Sequence, residues 1–163
     1  MSTTRQIEAS KAIDYKVLRI SSPSFKEGQP IPMEYTCDGR NTNPPLNVDA
    51  VPKEARSLVI IMEDPDARYN PFIHWLAWNI PVTHHIHEGF NHGTNGTNDF
   101  GRTRYEGPCP PQGTHKYFIK VYALNDILNL PPGSNKKQLE KSISNKIIAF
   151  GELTGTYKRK DSR

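Results

Sequence analysis

Every apolar run in this chain is short and is closed by proline, glycine or a polar turn. The longest, Leu58-Val-Ile-Ile-Met62, passes at once into Glu63-Asp64-Pro65-Asp66. An amphipathic helix needs an apolar stripe that recurs over about ten residues or more, whereas a strand needs roughly four to eight. The pattern therefore selects sheets over helical layers. The 14 prolines spread through 163 residues reinforce this choice, because each fixes φ and removes an amide donor.

Strands are predicted at Tyr15 to Ile20, at Ser57 to Met62 as a β-branched central strand covered on both faces, at Phe72 to Ile80, at His115 to Leu124 and at Leu153 to Lys158. Simple alternation puts Phe72, His74, Leu76, Trp78 and Ile80 on one face of their strand and Ile73, Trp75 and Ala77 on the other. In the clearest strand His115, Tyr117, Ile119, Val121 and Ala123 alternate with Lys116, Phe118, Lys120, Tyr122 and Leu124. One peripheral helix is predicted after Pro131-Pro132-Gly133. Ser134 or Asn135 caps it, and Leu139 and Ile143 stand i, i+4 on its buried face. Between Pro81 and Pro111 lies a segment rich in Gly, Asn and Thr that is too long for an ordinary connection.

The length suits one domain over residues 1–163, since domains commonly hold about 100 to 200 residues. About the first 14 residues read as an extra segment, and 158–163 as a basic tail. A net charge of +4 is mild. Arg102, Arg104 and the Lys158 to Lys160 stretch lack interleaved aromatics, so nucleic acid is not an expected partner. The amino terminus has no secretory apolar run and nothing approaches a membrane span, which reads as cytoplasmic. Cys37 and Cys109 form no CxxC pair and are read as free thiols. His84-His85-Ile86-His87 is read as a solvated turn rather than a metal site.

Three strand ends combine ionisable groups: Asp64-Pro-Asp66, His74, and His115-Lys-Tyr117. Gly107-Pro-Cys-Pro-Pro111 precedes the last of these and can form a stiff wall. If these strands are neighbours, a small cavity edged by carboxylates, imidazoles and a phenol results. There an imidazole can donate to an anion while a carboxylate, Asp64 or Asp66 behind His74, fixes its tautomer. The competing reading makes His74 and His115 satisfied core residues and Asp64-Pro-Asp66 an Asx-type turn. No GxSxG, Walker A, GxGxxG or HExxH pattern offers a nucleophile, a phosphate loop or a metal helix.

Several motifs occur in one order: Tyr35-Thr-Cys-Asp-Gly39, Asn43-Pro-Pro-Leu46, Asp64-Pro-Asp66, His74-Trp-Leu-Ala-Trp-Asn-Ile-Pro81, Gly107-Pro-Cys-Pro-Pro111, Gly113-Thr-His-Lys-Tyr117 and Glu152-Leu-Thr-Gly-Thr-Tyr157. Together they closely resemble the phosphatidylethanolamine-binding protein family, also called the Raf kinase inhibitor protein family, in its short bacterial and archaeal branch. The resemblance covers nearly all of the chain beyond about residue 15. It implies a mostly β fold, a sandwich of two antiparallel sheets with one or two short peripheral helices. It also implies an anion pocket lined by Asp64, Asp66, His74, Gly107, Pro108, Pro111, His115 and Tyr117. No catalytic residue, metal ligand or cofactor comes with it.

Two positions depart from the family pattern. Arg68 stands where DPDAP would place proline, which frees an amide and adds a cation beside the mouth. Lys116 replaces the usual arginine and loses its fork of donors. A carboxyl-terminal helix like that of animal members is not expected after Tyr157, nor is kinase regulation of the animal kind.

The resulting expectation is a non-enzymatic binder of phosphate, a phosphomonoester or a phospholipid head group. The alternatives are an inhibitor of a serine protease or kinase, contacting it through Arg68 and the Pro81 to Tyr105 loop, and a weak hydrolase using a His/Asp pair. Short members of the family often pair, so a homodimer stays open.

Overall fold

The strands form because short β-branched and aromatic runs alternate with turn residues, and they assemble into two sheets. In the computed structural model, which describes residues 15–69 and 71–160, nine strands are present. They are β1 (Lys16–Val17), β2 (Arg19–Ser21), β3 (Leu46–Asp49), β4 (Ser57–Asp64), β5 (Phe72–Ile80), β6 (His85–Ile86), β7 (Thr94–Asn95), β8 (Thr114–Leu124) and β9 (Ile147–Lys158). The larger sheet has the order β1-β9-β8-β4-β5-β7 and the smaller β2-β3-β6. The expected extra segment and the end of the basic tail lie outside the described residues.

Between the sheets lies the main core. Leu46, Val48 and Ile86 of the small sheet pack with Leu58, Ile60, Met62, Trp75, Ile119, Val121 and Leu153 of the large one. The outer face of the large sheet carries Val59, Ile61, Trp78 and Tyr122, covered by Leu139 and Ile143 of the helix α1 (Lys136–Ile143). Alternation along β4 thus sends neighbouring carboxylates to opposite sides. Glu63 faces the helix side, where it meets Lys120 and Lys136, each at 3.2 Å. Asp64 faces the end of the inner side.

Four expectations need correction. The segment Tyr15 to Ile20 is two strands, because the chain crosses from one sheet to the other at the buried Leu18, whose amide donates to Phe150 O at 2.9 Å. The sheets are not wholly antiparallel, since β1 runs parallel to β9. His85–Ile86 is a strand rather than a turn, with Ile86 buried in the core. Strict alternation fails on β5: its pairing with β4 shifts on both sides of the Trp75–Ala77 stretch. As a result Ile73, Leu76 and Trp78 share the outer core, while Trp75, Ala77 and Ile80 share the inner one.

The helix starts as its capping chemistry requires. Asn135 Oδ1 accepts from Gln138 N–H at 2.9 Å and Gln138 Oε1 accepts from Asn135 N–H at 2.8 Å, a reciprocal box that satisfies two otherwise orphaned donors. Asn135→Ala is expected to cost about 1 kcal/mol, visible as a fall in melting temperature of roughly 3 °C. No helix among the described residues is long and apolar enough to cross a membrane.

Candidate functional site

Antiparallel pairing of β4 with both β5 and β8 brings the end of β4 beside the start of each neighbour. Asp64 therefore stands next to Phe72 in register and close to the opening of β8. The turn that follows is an Asx turn, with Asp66 N–H donating to Asp64 Oδ1 at 2.8 Å. Asp66 itself is exposed, and its Oδ2 accepts from Lys116 N–H at 2.8 Å, tying the turn to β8. It positions the site without lining it.

A cavity of about 200 Å³ opens here, lined by Asp64, Ala67, Arg68, Phe72, His74, Phe100, Cys109, Pro110, Pro111, His115 and Tyr117. Five residues expected from the sequence meet in it: Asp64, His74, Pro111, His115 and Tyr117. Gly107 and Pro108 do not line it, and Cys109 and Pro110 of the same segment do. Phe72 and Phe100 were not foreseen as lining. Phe72 had a signal, as the opening residue of the strand that carries His74; Phe100, in an irregular loop, had none.

The two imidazoles are held differently from the expected arrangement. His74 does not lean on a carboxylate. Its Nδ1 donates to the Glu106 carbonyl at 2.7 Å, and its ring meets Tyr117 edge-on at 5.3 Å. Asp64 instead pairs with His115, whose Nδ1 lies 2.6 Å from Asp64 Oδ2. In the neutral state each ring thus keeps Nδ1–H and leaves Nε2 as a lone pair. Burial pushes the His74 pKa below its ordinary value, against the opposing pull of the Glu106 carbonyl. Burial, and next the charge of Asp64, pushes the Tyr117 phenol far above its usual range, so its hydroxyl stays a donor. That hydroxyl is buried and makes no hydrogen bond of good geometry among the described residues, with the Cys109 backbone and the Asp64 carboxylate as its polar neighbours.

Behind the cavity, Glu106 anchors the segment that leads into the wall. Its carboxylate accepts from Arg104 at 2.8 Å, Arg102 at 3.1 Å and Asn41 at 2.9 Å. Burial raises its pKa, yet these donors outweigh burial and leave it below the usual carboxylate range. Asn98 Oδ1 accepts from Phe100 N–H at 2.9 Å and Arg102 N–H at 3.0 Å, which fixes the loop that presents Phe100. The Phe100 ring lies 4.8 Å from Phe72 and 5.4 Å from His74.

Cys37 and Cys109 are joined in a disulfide, which corrects the reading of free thiols. The pairing is possible because the wall folds back on the Tyr35–Gly39 segment. There Cys37 N–H donates to Pro108 O at 3.1 Å and Tyr105 OH to Tyr35 O at 2.7 Å. Among the described residues no group of three or more His, Cys, Asp or Glu side chains could hold a metal.

A two-sheet sandwich with a small cavity of imidazoles and a carboxylate at the strand ends defines a class of β-proteins, and sequence comparison names it. Residues 21–158 match the family model described as phosphatidylethanolamine-binding protein, and the chain belongs to that family. A UPF0098 protein of Pyrococcus abyssi is 46% identical over 156 residues, covering 89% of this chain and 87% of that protein. One from Aquifex aeolicus is 42% identical over 153 residues, covering 88% and 90%.

Solved structures agree in fold. A phosphatidylethanolamine-binding protein homologue of Chlamydia trachomatis, CT736, superposes with a TM-score of 0.84 at 38% identity, covering 88% of this chain and 99% of that one. Escherichia coli YbcL, described as a member of the mammalian family, superposes at 0.80 with 28% identity and the same coverage.

Proposed function

We propose that the cavity binds a small oxyanion, a phosphate group free or as an ester, without covalent chemistry. The observation that carries this is the convergence on one small cavity of two imidazoles and a buried phenol hydroxyl that makes no hydrogen bond of good geometry among the described residues. Tyr117 supplies a neutral donor, and each imidazole supplies a second donor once Nε2 is protonated. Binding rather than turnover is supported by the state of the lining groups: the sulfur of Cys109 is held in the disulfide, and both Nδ1 atoms are already committed.

This design couples the anion to a proton. In the free protein the depressed His74 pKa leaves its Nε2 a lone pair at neutral pH. An anion beside it favours the imidazolium, so binding draws a proton in and affinity rises as pH falls. The gain reaches about tenfold per pH unit for each proton taken up. Sulfate, which does not titrate in this range, separates the protein's protonation from the ligand's. Between about pH 7.5 and pH 6 its dissociation constant is expected to fall roughly threefold to tenfold, read by NMR titration of the His74 and His115 ring signals. Ring signals unmoved by millimolar sulfate and phosphate would overturn the proposal.

Stability of the free protein has the opposite pH dependence. The folded His74 pKa lies below its unfolded value, so the contribution is fully present above the ordinary imidazole range, about 6.5. It is lost as pH falls below that range, because the unfolded chain takes the proton first.

A further inference from the structure

Among the described lining residues Arg68 is the one that carries a permanent positive charge. Its guanidinium carbon stands 5.7 Å from the centroid of the Tyr69 ring, and Tyr69 is 77% exposed, so the pair sits at the mouth rather than the floor. Arg68 makes no ion pair or hydrogen bond among the described residues. The carboxylate that also lines the cavity, Asp64, is engaged by His115 and by the amide of Asp66. Among the described residues, then, no carboxylate pairs with Arg68 to neutralise its charge at the mouth.

Resting on the phosphate reading above, the rest of a phosphate ester must lie outward from the imidazoles, past Phe72, Phe100 and Arg68. In an aminoalcohol phosphate the ammonium follows the ester oxygen after two carbons, which places it in that outer zone. The rings of Phe72 and Phe100 attract a cation only weakly at a solvent-open site. Like-charge repulsion from an adjacent guanidinium opposes them. We propose that Arg68 makes the cavity selective for phosphate esters of uncharged or acidic alcohols, and against aminoalcohol phosphates such as the ethanolamine head group. The chain would thus depart, through one side chain, from the ligand its family is named for.

The test compares glycerol 3-phosphate with O-phosphoethanolamine by isothermal titration calorimetry at low ionic strength, in the wild type and in Arg68→Gln. The wild type is expected to favour glycerol 3-phosphate by roughly threefold to tenfold, a preference that shrinks with added salt. Arg68→Gln is expected to bring the ratio close to one while its circular dichroism spectrum stays unchanged. Equal affinities in the wild type, or a ratio untouched in Arg68→Gln, would overturn the selectivity and leave the phosphate pocket standing. Failure of both ligands and of inorganic phosphate to bind the wild type at millimolar concentration would overturn the pocket, and the selectivity with it.

Discussion

Replacing Cys37 and Cys109 together by serine is expected to lower the unfolding free energy by about 4 kcal/mol. The bond joins residues 72 apart, and a loop of that size is costly to close in the unfolded chain. For a domain of this length the loss corresponds to a fall of roughly 10 °C in melting temperature. Calorimetry of the oxidised protein, the reduced protein and the double variant measures it. The folded structure should persist, because Cys37 N–H to Pro108 O, Tyr105 OH to Tyr35 O and Asn41 to Gly107 N–H hold the same two segments together. A loss below about 1 kcal/mol would show that the unfolded chain is already constrained by other means.

Gly107→Ala is expected to be the most damaging single change at the site. A β-carbon there would fall far inside contact with the Tyr35 carbonyl oxygen and 2.9 Å from Asn41 Oδ1. Neither neighbour can yield cheaply. The Tyr35 carbonyl accepts from Tyr105 OH, and Asn41 bridges Glu106 to the Gly107 amide. The expected cost is about 3 kcal/mol, with the following Cys109–Pro111 wall displaced from the cavity. Phosphate affinity should fall along with thermal stability, which separates this variant from Asn135→Ala, where stability alone should drop. An Ala variant as stable as the wild type, with unchanged phosphate titration, would contradict the close packing described here.

Much of this architecture is legible in the sequence. The alternation in β8 placed His115 and Tyr117 on the side that holds the cavity, and the cap, start and buried face of α1 follow from Asn135, Leu139 and Ile143. Periodicity reports the local pleat, however, and a bulge resets it. On β5 the pairing skips His74 between Glu63↔Ile73 and Met62↔Trp75, so Leu76 and Trp78 turn to the outer core while His74 stays with Phe72 at the cavity. The partner of Asp64 was missed for a related reason. Strand order decides which imidazole stands behind a carboxylate, and no local signal carries strand order.

The disulfide was illegible in the same way. Cys37 and Cys109 meet only because the segment after Tyr105 folds back against the Tyr35–Gly39 segment, a contact between distant parts of the chain. Both the residue pattern, as a stiff wall, and the motif resemblance pointed to the segment Gly107 to Pro111, although the residues that reach the cavity are its last three.

The hydrogen bonds that fix Phe100 and the wall also bear on how fast a ligand can come and go. Asn98 and Glu106 hold the Phe100 loop in place, so that loop need not close over the cavity for its contacts to form. Little ordering entropy is left to be lost on association. With that loop already in place, the on-rate should follow diffusion and the charge at the mouth, and differences in affinity among ligands should appear in how quickly each one leaves.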